Sequence, residues 1–288
     1  MKNKGFKVEA KDGQKKIIFF GNGPLADYAL AVLERECQIV FRARTKEDLE
    51  EVKRLKREIY PEAYGVLASF GVIIKSDILE LFEPEGILNI HPSLLPLYRG
   101  ASPIESAILA GDNDFSVSVM KLVKAMDAGP VYCQTTLTTD EIKEKTGEEN
   151  MSSGSLPCKN DIYKALAETG AEWIVKNLEN LPKPVLQNEK RATFCGKMEK
   201  SMGVLAPGID TAEQTLRKII AFQGFPKPKY AFWGVNCIIL GAHICKPGET
   251  AVLTIPCSDG DYVAVDKLQP EGRKPMDAKS FKNGYKKT

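Results

Sequence analysis

Histidine is almost missing from this sequence: His91 and His243 are the only two in 288 residues. A centre built from imidazoles has no material, and no metal is expected. Cysteine is commoner but unpatterned. The seven, at 37, 133, 158, 195, 237, 245 and 257, include no CxxC pair, so neither a zinc site nor a disulfide framework is indicated. Reduced, mostly buried thiols fit a cytoplasmic protein. No apolar run reaches the roughly 18 residues that a membrane-crossing helix needs. The opening MKNKGFKVEAKDGQ has no apolar core of the secretory kind and reads as a disordered tail over residues 1–14. There is no internal repeat and no low-complexity tract.

What is present is unevenly distributed. Residues 1–188 hold 24 Lys and Arg against 28 Asp and Glu, a balance of −4, whereas residues 189–288 hold 16 against 10, a balance of +6. A basic second part suits an anionic partner; equally, it can be a surface that only confers solubility.

Lys15 to Phe20 reads as a buried strand that breaks at Gly21-Asn22-Gly23, with Pro24 opening a helix. Cys37 to Phe41 is a second strand. Thr45 is placed to cap a helix whose Leu49, Val52, Leu55 and Ile59 share a face. Tyr64 to Phe70 and Gly86 to His91 are further strands, with a short helix capped by Ser76 between them. This alternation predicts an α/β fold, a Rossmann-like parallel sheet covered by helices. A helix from Ser102 to Gly111, strands over Phe115 to Val123 and Val131 to Leu137, a polar loop over 138–160 and a helix from Asp161 to Leu178 complete a domain over 15–185. Residues 186–208 read as a linker. Residues 209–288 carry one helix from Thr211 to Phe222, then short strands with a hairpin turn at Asp259-Gly260, predicting a small β-barrel of OB-like type.

The turn FGNGPLA is a defective dinucleotide fingerprint. Ala26 holds the third glycine position, Pro24 intrudes, and Arg42 and Arg44 stand where an acidic residue would meet a ribose. A tight βα turn with a structural role is the better reading. The informative segment is Asn89-Ile90-His91-Pro92-Ser93-Leu94-Leu95-Pro96-Leu97-Tyr98-Arg99-Gly100. Two residues apart at the C-terminal end of a strand, Asn89 and His91 leave on one face, at the sheet edge where open α/β folds bind ligands. Asp127, in Ala125-Met126-Asp127-Ala128-Gly129-Pro130, follows another strand end and is within plausible reach of His91. His243 lies in the apolar stretch IILGAHIC, where a structural role is favoured.

NIHPSLLPLYRGASPI followed by Met126-Asp127-Ala128-Gly129-Pro130 resembles the core of the 10-formyltetrahydrofolate-dependent formyltransferases. The resemblance implies Asn89, His91 and Asp127 as catalytic trio, a loop Ser93, Leu94, Leu95 and Pro96 that contacts folate together with Phe70 and Gly71, and 10-formyltetrahydrofolate as formyl donor. It also implies the chemistry: Asn89 and a protonated His91 stabilise the oxyanion, while Asp127 keeps His91 charged and helps remove the amine proton. Arg191-Ala192-Thr193-Phe194 with Lys197, and Leu268 to Met276, are similar to the linker and C-terminal domain of family members that formylate initiator methionyl-tRNA. By that likeness Arg191 and Lys197, with Arg42 and Arg44, are candidate tRNA contacts, and the protein is a monomer with initiator methionyl-tRNA as partner. Two features depart from those members. The long basic loop after the second strand is missing, and Ile220 stands where an Arg is usual. A nucleotide-linked amino sugar as acceptor, or an inactive folate- or RNA-binding relative, are the alternatives.

Overall fold

The computed structural model describes residues 13–147, 156–246 and 248–286. The expected tail therefore lies almost wholly outside the described residues. By compactness the chain divides into two units, one comprising residues through Pro103 with Asp114–Cys195, the other Ile104–Asn113 with the chain from Gly196.

In the first unit the elements run β1 (Lys16–Phe20), α1 (Pro24–Glu36), β2 (Gln38–Ala43), α2 (Asp48–Arg54), β3 (Tyr64–Leu67), α3 (Ser76–Leu79), β4 (Ile87–His91) and β5 (Arg99–Gly100). After α4 (Pro103–Ala110) come β6 (Phe115–Lys121), β7 (Val131–Leu137), α5 (Thr139–Thr146), α6 (Lys159–Asn177) and β8 (Phe194–Cys195). The main sheet has order β2-β1-β3-β4-β6-β7. Strands β1 to β4 are mutually parallel, as the alternation of strand and helix requires; β6 and β7 run antiparallel to β4 and to each other. The sheet is thus mixed, with its Rossmann-like half at the front of the chain.

Strand alternation divides the buried side chains between the faces. Ile18, Phe20 and Ile87 join Leu49, Val52, Ile78 and Phe82 in one core under α2 and α3. On the opposite face, Gly170 of α6 lies against Ile90 and Val117. Asn89 and His91 are in phase with Ile87, so they project on the α2–α3 side at the strand's C-terminal end. The GNG turn is structural in form: the Gly21 N–H bonds Ala43 O and the Asn22 N–H bonds Ser69 O.

Several local expectations change. Thr45 does not cap α2; Asp48 instead accepts from the N–H groups of Arg44 and Thr45. Ser76 is likewise the first residue of α3 and not its cap. Part of the supposed 138–160 loop is α5, held by a capping box in which Thr138 and Glu141 exchange hydrogen bonds; residues 148–155 lie outside the described residues.

The second unit holds α4 beyond Pro103, α7 (Ala212–Ala221), β9 (Lys229–Phe232), β10 (Val235–Ile244), β11 (Thr254–Pro256), β12 (Tyr262–Pro270), β13 (Met276–Asp277) and α8 (Ala278–Tyr285). Its antiparallel strands are ordered β11-β12-β10-β9 with β13 on β12, a half-barrel whose outer strands do not pair among the described residues. Thr211 and Gln214 form the capping box of α7. Phe281 of α8, absent from the expected elements, is fully buried with Ile239, Ile255, Val263 and Leu268. The Arg217 guanidinium bonds the carbonyls of Ile108 and Asp112 and the Asn113 side chain, tying Ile104–Asn113 to this unit.

Candidate active site

β4 is wholly buried, and it carries Asn89 and His91, each 5% exposed. The Asn89 amide makes no side-chain hydrogen bond among the described residues. The residue is nearly buried, yet the amide is not sealed off: its polar atoms keep the little solvent access that the side chain has, so a ligand can reach them. Asn89 is therefore poised as a donor or acceptor toward something that binds.

The His91 ring faces two groups. Its Nε2 lies 3.2 Å from the Tyr98 carbonyl oxygen, which can only accept, so Nε2 carries the proton. Its Nδ1 faces Asp127 Oδ1 at 3.7 Å, beyond ordinary hydrogen-bond length. Burial pushes the imidazole below its usual range; the Asp127 charge and the Tyr98 carbonyl oppose this, and the Arg99 charge adds to it. The resting ring is then neutral near pH 7, which corrects the expectation that Asp127 keeps it protonated. Nδ1 and Oδ1 are two converging proton acceptors that one bound N–H donor can meet together.

Asp127 takes φ +47, a left-handed conformation uncommon outside glycine. Its Oδ2 accepts from the Gly100 N–H at 2.8 Å. Gly100 has φ +126, and a Cβ there would stand 2.1 Å from the Cys195 carbonyl oxygen, so only glycine fits.

The segment expected as a linker is part of this architecture. Val185 exchanges two backbone hydrogen bonds with Val131. The Gln187 amide nitrogen donates to the carbonyls of Asp127 (2.8 Å) and Gly129 (2.7 Å). Arg99, 2% exposed, donates to Gln187 Oε1 through Nε and Nη2 and forms a two-pronged pair with Glu189. Thr193 binds the backbone of Pro96, Tyr98 and Arg99. Sequence reading missed Gln187, Glu189 and Thr193; the only local signal was a polar QNE run directly after Val185-Leu186.

The Ser93–Pro96 loop is fastened from beneath. Ser93 Oγ donates to Leu97 O, Ser118 Oγ donates to Ser93 O, and Gln134 Nε2 donates to Leu95 O. Ser93 and Leu95 are buried supports, whereas Leu94 is 40% exposed. Phe70 is not free to line a pocket: it is 5% exposed and packs edge-to-face on Phe20 in the core. Gly71 beside it is exposed.

The candidate nucleic-acid contacts separate similarly. Arg42 is bound to Gly21 O and Asp27, so its charge is already used. Arg44, Arg191 and Lys197 are exposed. Only residues 44–47 separate β2 from α2, so the connection is too short to be a long basic loop. His243 is not an apolar structural residue; its half-exposed ring pairs with Glu249 at 2.7 Å and Asp266 at 3.0 Å. No cluster of metal-ligating side chains occurs among the described residues, and no described helix is long and apolar enough to cross a membrane.

Residues 15–156 match the Formyl transferase family and residues 209–286 the Formyl transferase, C-terminal domain family. The methionyl-tRNA formyltransferase of Carboxydothermus hydrogenoformans is 32% identical over 255 residues, 81% of this chain and 77% of that protein. In fold the chain is similar to the methionyl-tRNA formyltransferase of Clostridium thermocellum (TM-score 0.61, 18% identity, covering 89% and 98% of the two chains). It is also similar to HypX of Aquifex aeolicus in complex with tetrahydrofolic acid (TM-score 0.68, 18% identity), where it spans 93% of its own length but 47% of that chain. With both family models matched in order along one chain, and a relative at 32% identity covering most of both proteins, the chain belongs to the formyl transferase family.

Proposed function

We propose that this formyltransferase moves the formyl group of 10-formyltetrahydrofolate to the α-amine of methionyl-tRNA, in the cytoplasm, with initiator methionyl-tRNA the intended acceptor. The observation that carries the transfer chemistry is the unpartnered Asn89 amide beside two converging proton acceptors. The neutral amine attacks the formyl carbon, a carbon–nitrogen bond forms, and the carbonyl electron pair becomes an oxyanion that accepts from Asn89 Nδ2. A preorganised donor of this kind is worth about 10²–10³ in rate. The amine proton passes to the His91–Asp127 pair, where the carboxylate stabilises the imidazolium so formed. Collapse of the intermediate breaks the bond to folate nitrogen, which takes that proton back. Exposed Leu94 and Gly71 and half-buried Pro96 meet the folate, while buried Ser93, Leu95 and Phe70 support them.

The acceptor assignment rests on the names of the relatives and on the +6 balance after residue 188. Exposed Arg44, Arg191 and Lys197 are the candidate phosphate contacts. The deciding experiment assays 10-formyltetrahydrofolate with charged initiator and elongator tRNA and with a panel of nucleotide-linked amino sugars, over a salt series. Formylation of methionyl-tRNA that falls steeply with salt supports the reading. Turnover of an amino sugar with inert tRNA sinks it. Folate-dependent thermal stabilisation without any turnover identifies an inactive relative.

A further inference from the structure

We infer that Gln187 and Arg99 are positioning residues for the transfer reaction, and that the segment after Leu186 belongs to the catalytic apparatus and is not a spacer. The inference rests on the assignment of Asp127 to the reacting centre. The Gln187 amide is fully used. Its two N–H groups go to the carbonyls of Asp127 and Gly129, and its oxygen takes two N–H groups of Arg99. That pattern fixes the amide's orientation, because a guanidinium only donates and a carbonyl only accepts. The remaining Arg99 donors close on Glu189 in a planar fork, at 2.8 and 2.7 Å. The Arg99–Gly100 dipeptide thus holds Asp127 twice: the Gly100 N–H takes the carboxylate, and the Arg99 side chain, through Gln187, takes the carbonyl of the same residue.

What is held is a backbone conformation that would relax if released. Asp127 sits at φ +47, and such a conformation in a non-glycine residue persists only where its surroundings over-determine it. The carboxylate must keep Oδ1 turned to His91 Nδ1 across 3.7 Å. Catalytic geometry is demanding enough that a displacement of about 1 Å can cost about 10² in rate. Nothing else in the described structure bonds the Asp127 carbonyl. Removing the Gln187 donors therefore frees the turn to relax while leaving the Asp127 side chain intact.

The test uses the full-length enzyme with Gln187→Met, which keeps length but not the bonds, and Gln187→Glu, which keeps shape but puts an acceptor against two carbonyls. Arg99→Lys, which loses the fork, and Asp127→Ala run beside them. The readouts are kcat and KM for 10-formyltetrahydrofolate, the pH–rate profile and thermal stability, with whichever acceptor the enzyme turns over. We expect kcat to fall about 10- to 100-fold in Gln187→Met and further in Gln187→Glu, with KM within twofold and an altered acid limb. A folded Gln187→Met enzyme with wild-type kcat and pH profile overturns the inference, as does a loss that follows only the folded fraction. Wild-type activity in Asp127→Ala would instead overturn the catalytic assignment beneath it.

Discussion

Asp127→Asn isolates the carboxylate's charge from its shape. Asparagine tolerates φ near +47, and its side-chain oxygen can still accept from the Gly100 N–H, so the turn is expected to stay within about 1 kcal/mol of wild-type stability. What disappears is a negative charge 3.7 Å from His91 Nδ1. At an effective dielectric of about 20, that charge attracts an imidazolium by 332/(20 × 3.7), about 4–5 kcal/mol. If the amine proton must rest on this pair at the transition state, the lost attraction corresponds to a fall of roughly 10³ in kcat. Donor KM should hardly move. The pH profile supplies a second reading. Burial lowers the His91 pKa and Asp127 opposes that. The wild-type acid limb therefore lies below pH 6.5, and the variant's lies lower still. Single-turnover formyl transfer from about pH 5 to 8 measures both; the acceptor amine titrates identically in the two proteins and cancels in their ratio. A folded variant within tenfold of wild type, its limb unmoved, would refute the role given to the pair.

Two further outcomes follow from the geometry. Gly129→Ala would place a Cβ 1.8 Å from the Lys121 carbonyl oxygen; urea unfolding should show a loss of about 1–3 kcal/mol, with activity reduced even where the protein is folded, because the turn carrying Asp127 must move. For His243, burial pushes the ring down, but its hydrogen bonds to Glu249 and Asp266 outweigh that and raise it. A raised folded pKa gives stability that is fully present below the unfolded value near 6.5 and is lost as pH rises through the folded value. The stability gap between wild type and His243→Gln should therefore be wide at pH 5–6 and narrow in alkaline solution, and a gap independent of pH would contradict it.

The sequence made Asn89 and His91 legible because both signals are local: a period of two along an apolar strand, and a stiff proline-rich loop after it. The helix starting at Thr211 and the Asp259-Gly260 turn are local for the same reason. Strand direction is not local. Nothing in Phe115–Lys121 distinguishes an antiparallel strand from a parallel one, so the mixed character of the sheet had to be seen. Helix α8 was hidden because Ala278 and Phe281 are its only buried residues. Gln187 was illegible for a different reason: its partners lie 58 to 88 residues away in the chain. The neutral state of His91 was equally out of reach, since desolvation is a property of the packed site and not of the residues beside it in sequence.

The bonds of Arg217 carry a consequence for how this chain is made. Helix α4 leaves the ribosome early, yet the guanidinium that binds the Ile108 carbonyl is translated 109 residues later. At synthesis rates of roughly 5–20 residues per second, the interval is about 5–20 s. Until then the carbonyls of Ile108 and Asp112 lack that partner, and the core in which Ile219 will be buried has not yet been synthesised. The front of the nascent chain can form its sheet in order, but the carbonyls of Ile108 and Asp112 must wait for the guanidinium of a helix that begins at Ala212. The Arg217 anchor of Ile108–Asn113 is thus made only late in translation, and a messenger truncated before codon 217 yields a chain whose fourth helix never acquires it.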